Sequence, residues 1–319
     1  MEKQTRFSWN CKNSKYFFIL SKARYLHFTG GCTLWATNHF PQRRSSLKRY
    51  IKELIYYYYS IVLQEIELIS YKLFRKKIFF YYLGGDVRIN GWGLQNYTYS
   101  IASEQRVKNF VKDDRSKLKV INKFSRYATK TFAVNPDLLH NLPKGSTYLP
   151  IPFNSNVPKS TLNYRSDTLV IGHAPSDRII KGTKYIENAC KNLEVKGHKI
   201  ELRIFEGLEN FDLQIELSKI DLFIDQLIGG WYGVVALEAL SVGCPVLVYI
   251  RQEDLKFIPE QMQKELPFIN ANKHNLEPIL EQIILDNSLK KMNQESKGPK
   301  FIKDWHDPDK VVSAISKHF

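Results

Sequence analysis

The sequence predicts an α/β fold with a parallel sheet in its second half. Three observations carry this expectation. From Thr168 onward, short apolar strands alternate with helical segments, a pattern that places helices on both faces of a parallel sheet. The 319 residues exceed one small core and suit two domains. The composition, 43% hydrophobic and 25% charged, is that of a folded chain.

The elements follow in order. Tyr25–Phe28 reads as a short strand ended by Thr29, Gly30 and Gly31. Ser45–Phe74 has no Pro or Gly, and its charges recur on one side, which predicts a helix. Lys77–Leu83 is a buried-type strand running into the turn Gly84, Gly85, Asp86, Val87, Arg88. A helix is expected over Val120–Tyr127, a strand over Thr131–Asn135, a helical turn from Pro136 and an extended segment over Leu149–Pro152. Asn154–Asn163 has the Ser, Pro and Lys content of a linker. Beyond it come strand Thr168–Gly172, helix Gly182–Leu193, strand Lys199–Phe205, helix Leu213–Lys219, strand Asp221–Asp225, helix Gly233–Ser241 and strand Pro245–Ile250. The predicted organisation is a first domain over 1–153, a second over 154–300 and a closing segment over 301–319.

Charge divides the chain. The net charge is +15, but residues 1–150 carry +17 and the remainder −2. A cationic first half suits a phospholipid surface, a phosphorylated lipid acceptor or nucleic acid, or it is a solubilising surface. No nucleic-acid-binding motif is present, so nucleic acid is not the expected partner. Tyr56–Tyr59 point all round the predicted helix, so some rings pack in the core and the others meet solvent or lipid headgroups, the latter suited by Arg43, Arg44, Lys48 and Arg49 just upstream. The longest apolar run, Leu54–Leu63, is too short to cross a bilayer. Four scattered cysteines fit a reducing compartment, so a cytoplasmic location is expected.

Ligands of parallel sheets bind at the carboxyl ends of the strands, which directs attention to two loops. In Asp221–Ile250 a strand runs into a loop with Gly229, Gly230 and Gly233, where a helix opens. Glycines let a backbone approach a phosphate, and a helix start offers free amides and the positive end of its dipole. Glu238 is the one charge in that apolar helix, and its side chain leans toward the helix start, where a ribose hydroxyl would meet it. In Ile171–Thr183, Arg178 and Lys181 precede Gly182, two cations suited to a diphosphate, with His173 and Ser176 as further hydrogen-bond partners. Asp307-Pro308-Asp309 has the spacing of a carboxylate pair, but its place before the last helix reads as a cap. No paired metal-ligand spacing, Walker loop or Gly-x-Ser-x-Gly elbow appears, so no metal site is expected.

With these residues in view, the second half resembles the donor-binding domain of GT-B fold glycosyltransferases, in the large retaining family 4 (group 1) type that builds bacterial polysaccharides. The resemblance lies in GWYG, ALEAL and GCPV within Asp221–Ile250, in the loop with Arg178 and Lys181, and in the closing stretch Phe301–Ile315. YLHFTGG, GGDVR, VNPDLL and LPIP resemble acceptor-domain elements more weakly.

The resemblance implies two Rossmann-like domains facing a cleft, the first short at its start. It implies transfer from a nucleoside-diphosphate sugar to a glycan or lipid-linked acceptor, with retention and without a metal or other cofactor. Glu238 would bind the ribose, Gly233 and Val234 would offer amides, and Arg178 and Lys181 would neutralise the diphosphate. His173, Ser176, Gly182, Asp225, Gln226, Gly230 and Tyr232 complete the implied donor set, and Gly30, Gly31, Asp86 and Arg88 the acceptor side. The sequence departs from the family at Gly230, where relatives carry a glutamate near the transferred sugar, and at Leu83-Gly84-Gly85, where many carry a histidine. Asp225 or Gln226 would have to compensate for the first. The alternative expectation is a relative that binds nucleotide sugar or glycan without transferring it.

Overall fold

The computed structural model describes residues 16, 18–30, 33–34, 47–105, 110–154, 168–286 and 297–319. Two parallel sheets, each flanked by helices, make up the described chain.

In the first, β1 (Tyr25–Thr29), β2 (Lys77–Tyr82), β3 (Lys130–Ala133) and β4 (Thr147–Tyr148) lie side by side in chain order. Parallel neighbours require crossovers, and helices supply them. Between β1 and β2 runs α1 (Leu47–Leu73). Between β2 and β3 run α2 (Asn90–Asn96), α3 (Ile101–Gln105) and α4 (Phe110–Ser125). The strand KIFFYY sits mid-sheet, with Ile78, Phe79, Phe80 and Tyr82 buried. Phe80 stacks on Phe124 of α4 at 4.6 Å between ring centroids. The helix expected to begin at Val120 begins ten residues earlier, because Phe110, Asp114, Ile121 and Phe124 continue one inward face past a run of lysines.

The second sheet holds β5 (Leu169–His173), β6 (Ile200–Ile204), β7 (Leu222–Ile224), β8 (Val246–Val248) and β9 (Ile269–Asn270) in the order β6-β5-β7-β8-β9, all parallel. Strands β7 and β8 are fully buried, as continuous apolar runs covered on both faces should be. The order reverses between β5 and β7, so the crevice at their carboxyl ends is the topological switch point. The helix expected over Gly182–Leu193 runs over Thr183–Val195, and a short helix precedes it. Asp177 caps the short α5 (Arg178–Lys181), accepting the amides of Ile179 and Ile180 at 2.8 and 3.0 Å. Gly182, at φ +80°, ends it in the left-handed region, and α6 (Thr183–Val195) follows. Then come α7 (Asn210–Leu217), α8 (Val234–Ser241), α9 (Glu260–Glu265) and α10 (Leu276–Leu285).

After the short α11 (Gly298–Phe301) a π-helical turn, Ile302–His306, returns the chain to the first sheet. Phe153 donates its amide to the His306 carbonyl at 2.8 Å. In α12 (Pro308–Ser316) Val311 packs on Phe79, Phe132 and Leu149. Phe319 stacks on Tyr25 at 4.3 Å. Asp307 accepts the amides of Asp309 and Lys310, so the Asp-Pro-Asp stretch is a helix cap. The expected linker, Asn154 apart, lies outside the described residues, as do Gly31, Cys11, Cys32, Arg43 and Arg44.

Candidate functional site

Lys181, at the end of α5, and Asp225, just past β7, meet across the switch point, Nζ to Oδ1 2.5 Å. Asp225 is fully buried and Lys181 is 9% exposed. The other carboxylate oxygen accepts the Gly233 amide at 2.6 Å. Two of the four donors that the sequence assigned to a diphosphate, Lys181 and the Gly233 amide, therefore converge, and a carboxylate of the chain holds them together. A side chain at 233 would crowd the ammonium at 3.1 Å, which accounts for the glycine. Val234, first in α8, is exposed at the helix start.

Glu238 lies one turn further along α8 and is 2% exposed. Its Oε1 accepts the Asn210 amide at 2.6 Å, at the mouth of α7, while Oε2 is buried with no partner. Burial raises the carboxyl above its ordinary value, opposed by the Asn210 hydrogen bond. An orphaned acceptor of this kind is costly, and it suits a ligand hydroxyl.

Arg178 is not part of this convergence. It is half exposed and forks onto Glu206 at 2.7 and 2.8 Å, with Glu187 at 3.2 Å. Ser176 is exposed in the turn before it.

Three implied donor residues are structural instead. His173 is fully buried and both ring nitrogens are engaged, Nδ1 on the Ile224 carbonyl at 2.7 Å and Nε2 with Thr183 at 2.9 Å. A carbonyl only accepts, so Nδ1 carries the hydrogen, and burial lowers the ring to about 4, leaving it neutral. Strand β5 runs one residue past its expected end, which draws His173 into the core. Gln226 closes its own loop by donating to the Trp231 carbonyl, so it does not replace a glutamate at 230, and Asp225 is already engaged with Lys181. Tyr232 is buried, stacked on Phe268 at 4.6 Å, with its hydroxyl at 2.9 Å from His306 Nε2. Its ring packs under the returning chain.

On the other side of the cleft, Asp86 accepts the Leu83 and Gly84 amides at 3.2 and 2.7 Å and shapes its own turn. Gly30 donates to the Tyr81 carbonyl at 3.0 Å at the end of β1. Arg88 makes a two-point pair with Asp137 at 2.6 and 3.2 Å. Beside it a cavity of about 20 Å³ opens between the loops of the two sheets, lined by Arg88, Trp92, Tyr97 and Asn141 from the first and Gly229 and Arg251 from the second.

Sequence reasoning missed Arg251. It follows β8 and is 2% exposed. Its guanidinium fills the room that a side chain at 230 would need, with a Cβ there only 2.4 Å from Nη1. Gly230 itself sits at φ +84°. Asp254 gathers Arg251 at 3.0 Å, the Tyr97 hydroxyl at 3.0 Å and His140 at 2.8 Å. The available signal was position alone, since Arg251 stands at the carboxyl edge of a parallel strand. Among the described residues no group of three or more His, Cys, Asp or Glu could hold a metal ion.

No protein-family model matches the chain, and no curated protein matches its sequence. Solved structures do match it in three dimensions. WaaG, a glycosyltransferase involved in lipopolysaccharide biosynthesis, superposes with TM-score 0.52 at 13% identity, over 87% of this chain and 85% of that one. Sucrose-phosphate synthase from Thermosynechococcus elongatus gives 0.51 at 12% identity, over 86% and 79%. An S. aureus TarM variant solved with UDP, fondaparinux and alpha-GlcNAc-glycerol gives 0.51 at 12%, over 77% of this chain. The fold is GT-B. The chain spans about half of the TarM length (52%) and most of WaaG. The cavity beside Arg88 and Arg251 lies between loops of the two sheets.

Proposed function

We propose that this chain is a glycosyltransferase that moves a sugar from a nucleoside-diphosphate donor to a hydroxyl of a glycan or lipid-linked acceptor, in the synthesis of a cell-surface polysaccharide such as capsule or lipopolysaccharide. The observation that carries the proposal is the switch-point arrangement: Lys181 and the Gly233 amide converge one helical turn from a buried glutamate with an unpaired oxygen. The diphosphate takes over the donors now held by Asp225. The ribose hydroxyls meet Glu238 Oε2. Charge building on the leaving diphosphate is stabilised by Lys181, by the amides and dipole at the start of α8, and by Arg178 once it turns from Glu206. Transfer proceeds without a metal and with retention, as in the retaining family the sequence resembles. Closure of the cleft around the donor excludes water.

The proposal includes contact with the cytoplasmic face of an anionic membrane. No helix of the described residues is long and apolar enough to cross one. Yet Ile51, Ile55, Tyr58, Val62, Ile66 and Ile69 form an exposed stripe along α1, and the exposed cations Lys48, Lys52, Lys72 and Arg75 stand at its two ends. That is the pattern of a helix lying in a bilayer interface.

Thermal-shift measurements with UDP-, GDP- and ADP-sugars test the function, followed by a transfer and hydrolysis assay on any donor that binds. Stabilisation by one base, lost in Glu238→Ala, is expected, and no shift with any donor would sink the proposal. Binding without turnover selects a second reading, a donor-binding protein that does not transfer. The glycine at 230 and the guanidinium that fills its place favour that reading.

A further inference from the structure

Arg251 is a buried cation in the cleft with hydrogen-bonding capacity left over. Its Cζ lies 3.6 Å from the centre of the Tyr97 ring. Nη1 is taken by Asp254 and Nη2 by the Tyr99 carbonyl, each at 3.0 Å. Nε is buried and has no acceptor. The acids around the same cavity are already engaged. Asp254 receives Arg251, Tyr97 and His140, and Asp137 receives one edge of Arg88, through Nε and Nη2. Gly230 puts no side chain on that wall. The buried polar atom left without a partner among the cavity's charged side chains is thus Nε of Arg251.

We propose that this cavity is a subsite for an acidic group, a carboxylate or phosphate, carried by a sugar in the cleft, and that Arg251 receives it. The inference rests on the nucleotide-sugar reading above. A hydroxyl would satisfy Nε singly. An anion matches a desolvated guanidinium better, because the bond it accepts from Nε is charge-assisted. Stacking on Tyr97 and the bond to Asp254 hold the plane still, so little rotamer entropy is lost on binding. Segment 90–101 and Gly229 with Arg251 form opposite walls, and admission of a whole sugar acid requires them to part, a hinge motion open to two domains.

Calorimetry on the purified full chain tests this. The first titration finds which of UDP, GDP and ADP binds. Protein saturated with that diphosphate is then titrated with glucose, glucuronate and glucose 6-phosphate. Free protein is titrated with the glucose and glucuronate conjugates of that diphosphate. A preference of about tenfold for the acidic over the neutral ligand is expected in one series. The first series places the acid on the acceptor and the second places it on the donor sugar. Arg251→Gln should abolish the preference at unchanged diphosphate affinity. Should that variant fold poorly, Arg251→Gln combined with Asp254→Asn leaves no charge unpaired and gives the same readout. Equal affinities within about twofold in both series overturn the inference, as does a preference that survives in the paired variant. Failure of all three diphosphates to bind overturns the nucleotide-sugar reading, and this inference falls with it.

Discussion

The Lys181 ammonium sits 2.5 Å from the Asp225 carboxylate, and Asp225 is at the same time the acceptor for the Gly233 amide. One carboxylate thus ties the loop after β5 to the loop after β7, in the position where an anionic ligand would draw on the same two donors.

Lys181→Ala leaves Asp225 as a buried charge with one amide for company. Breaking such a pair costs about 3–5 kcal/mol, so urea unfolding should show a loss of that order. Nucleoside-diphosphate affinity should fall at least about tenfold in calorimetry. Asp225→Asn keeps an oxygen for Gly233 and releases the ammonium, so diphosphate affinity should hold or rise. Weaker binding by Asp225→Asn would show that the carboxylate aims Lys181 instead of competing for it.

Glu238 gives a pH signature. Burial holds its carboxyl above the ordinary value near 4.5, so the folded protein keeps the proton to higher pH than the unfolded chain. The resulting loss of stability is absent below about 4.5 and grows as pH rises through the raised value. Glu238→Gln should therefore be more stable than the parent at pH 7 and equal to it near pH 4, while losing donor affinity. A variant less stable at pH 7 would mean that the ionised carboxylate is well satisfied without ligand.

The second sheet was legible because its inner strands β7 and β8 are buried on both faces and so appear as bare apolar runs, Leu222–Ile224 and Val246–Val248. Lys181, Gly233 and Glu238 followed from strand-end placement. The parts that were not legible depend on contacts far apart in sequence. Tyr97 and Asp254 are 157 residues apart, and nothing local to either marks them as partners. Periodicity shows which face of a helix is apolar, not what covers it. Tyr232 read as a pocket residue because the return of His306 beneath it, 74 residues later, leaves no local trace. His173 read as a strand-end ligand because the strand was placed one residue short.

Two buried imidazoles set the acid limit. His306 donates from Nδ1 to the Ile151 carbonyl and accepts the Tyr232 hydroxyl at Nε2. Burial lowers both it and His173 from 6.5 to about 4. Below pH 6.5 the unfolded chain takes up these two protons while the folded protein refuses them, so stability falls as pH drops from 6.5 toward 4. Glu238 opposes this by one proton over part of the range. His306→Gln should lower stability at pH 7, through lost hydrogen bonds, and flatten the acid slope by about one proton in urea titrations. An unchanged slope would mean that the His306 ring ionises in the fold as it does in water.

The outward stripe of α1 makes the membrane proposal quantitative. Ile55 is 66% exposed, Val62 56% and Ile66 53%. Apolar insertion and attraction to anionic headgroups should add, with roughly 1 kcal/mol per basic residue near the surface. Flotation should recover the chain with vesicles containing phosphatidylglycerol and not with pure phosphatidylcholine, and raised salt should weaken capture by screening. Ile55→Glu with Ile66→Glu should release it from vesicles without lowering the melting temperature, because neither side chain is in the core. Capture that ignores lipid charge would count against the proposal. A concentration-dependent dimer abolished by the same pair of changes would assign the stripe to a second copy of the chain.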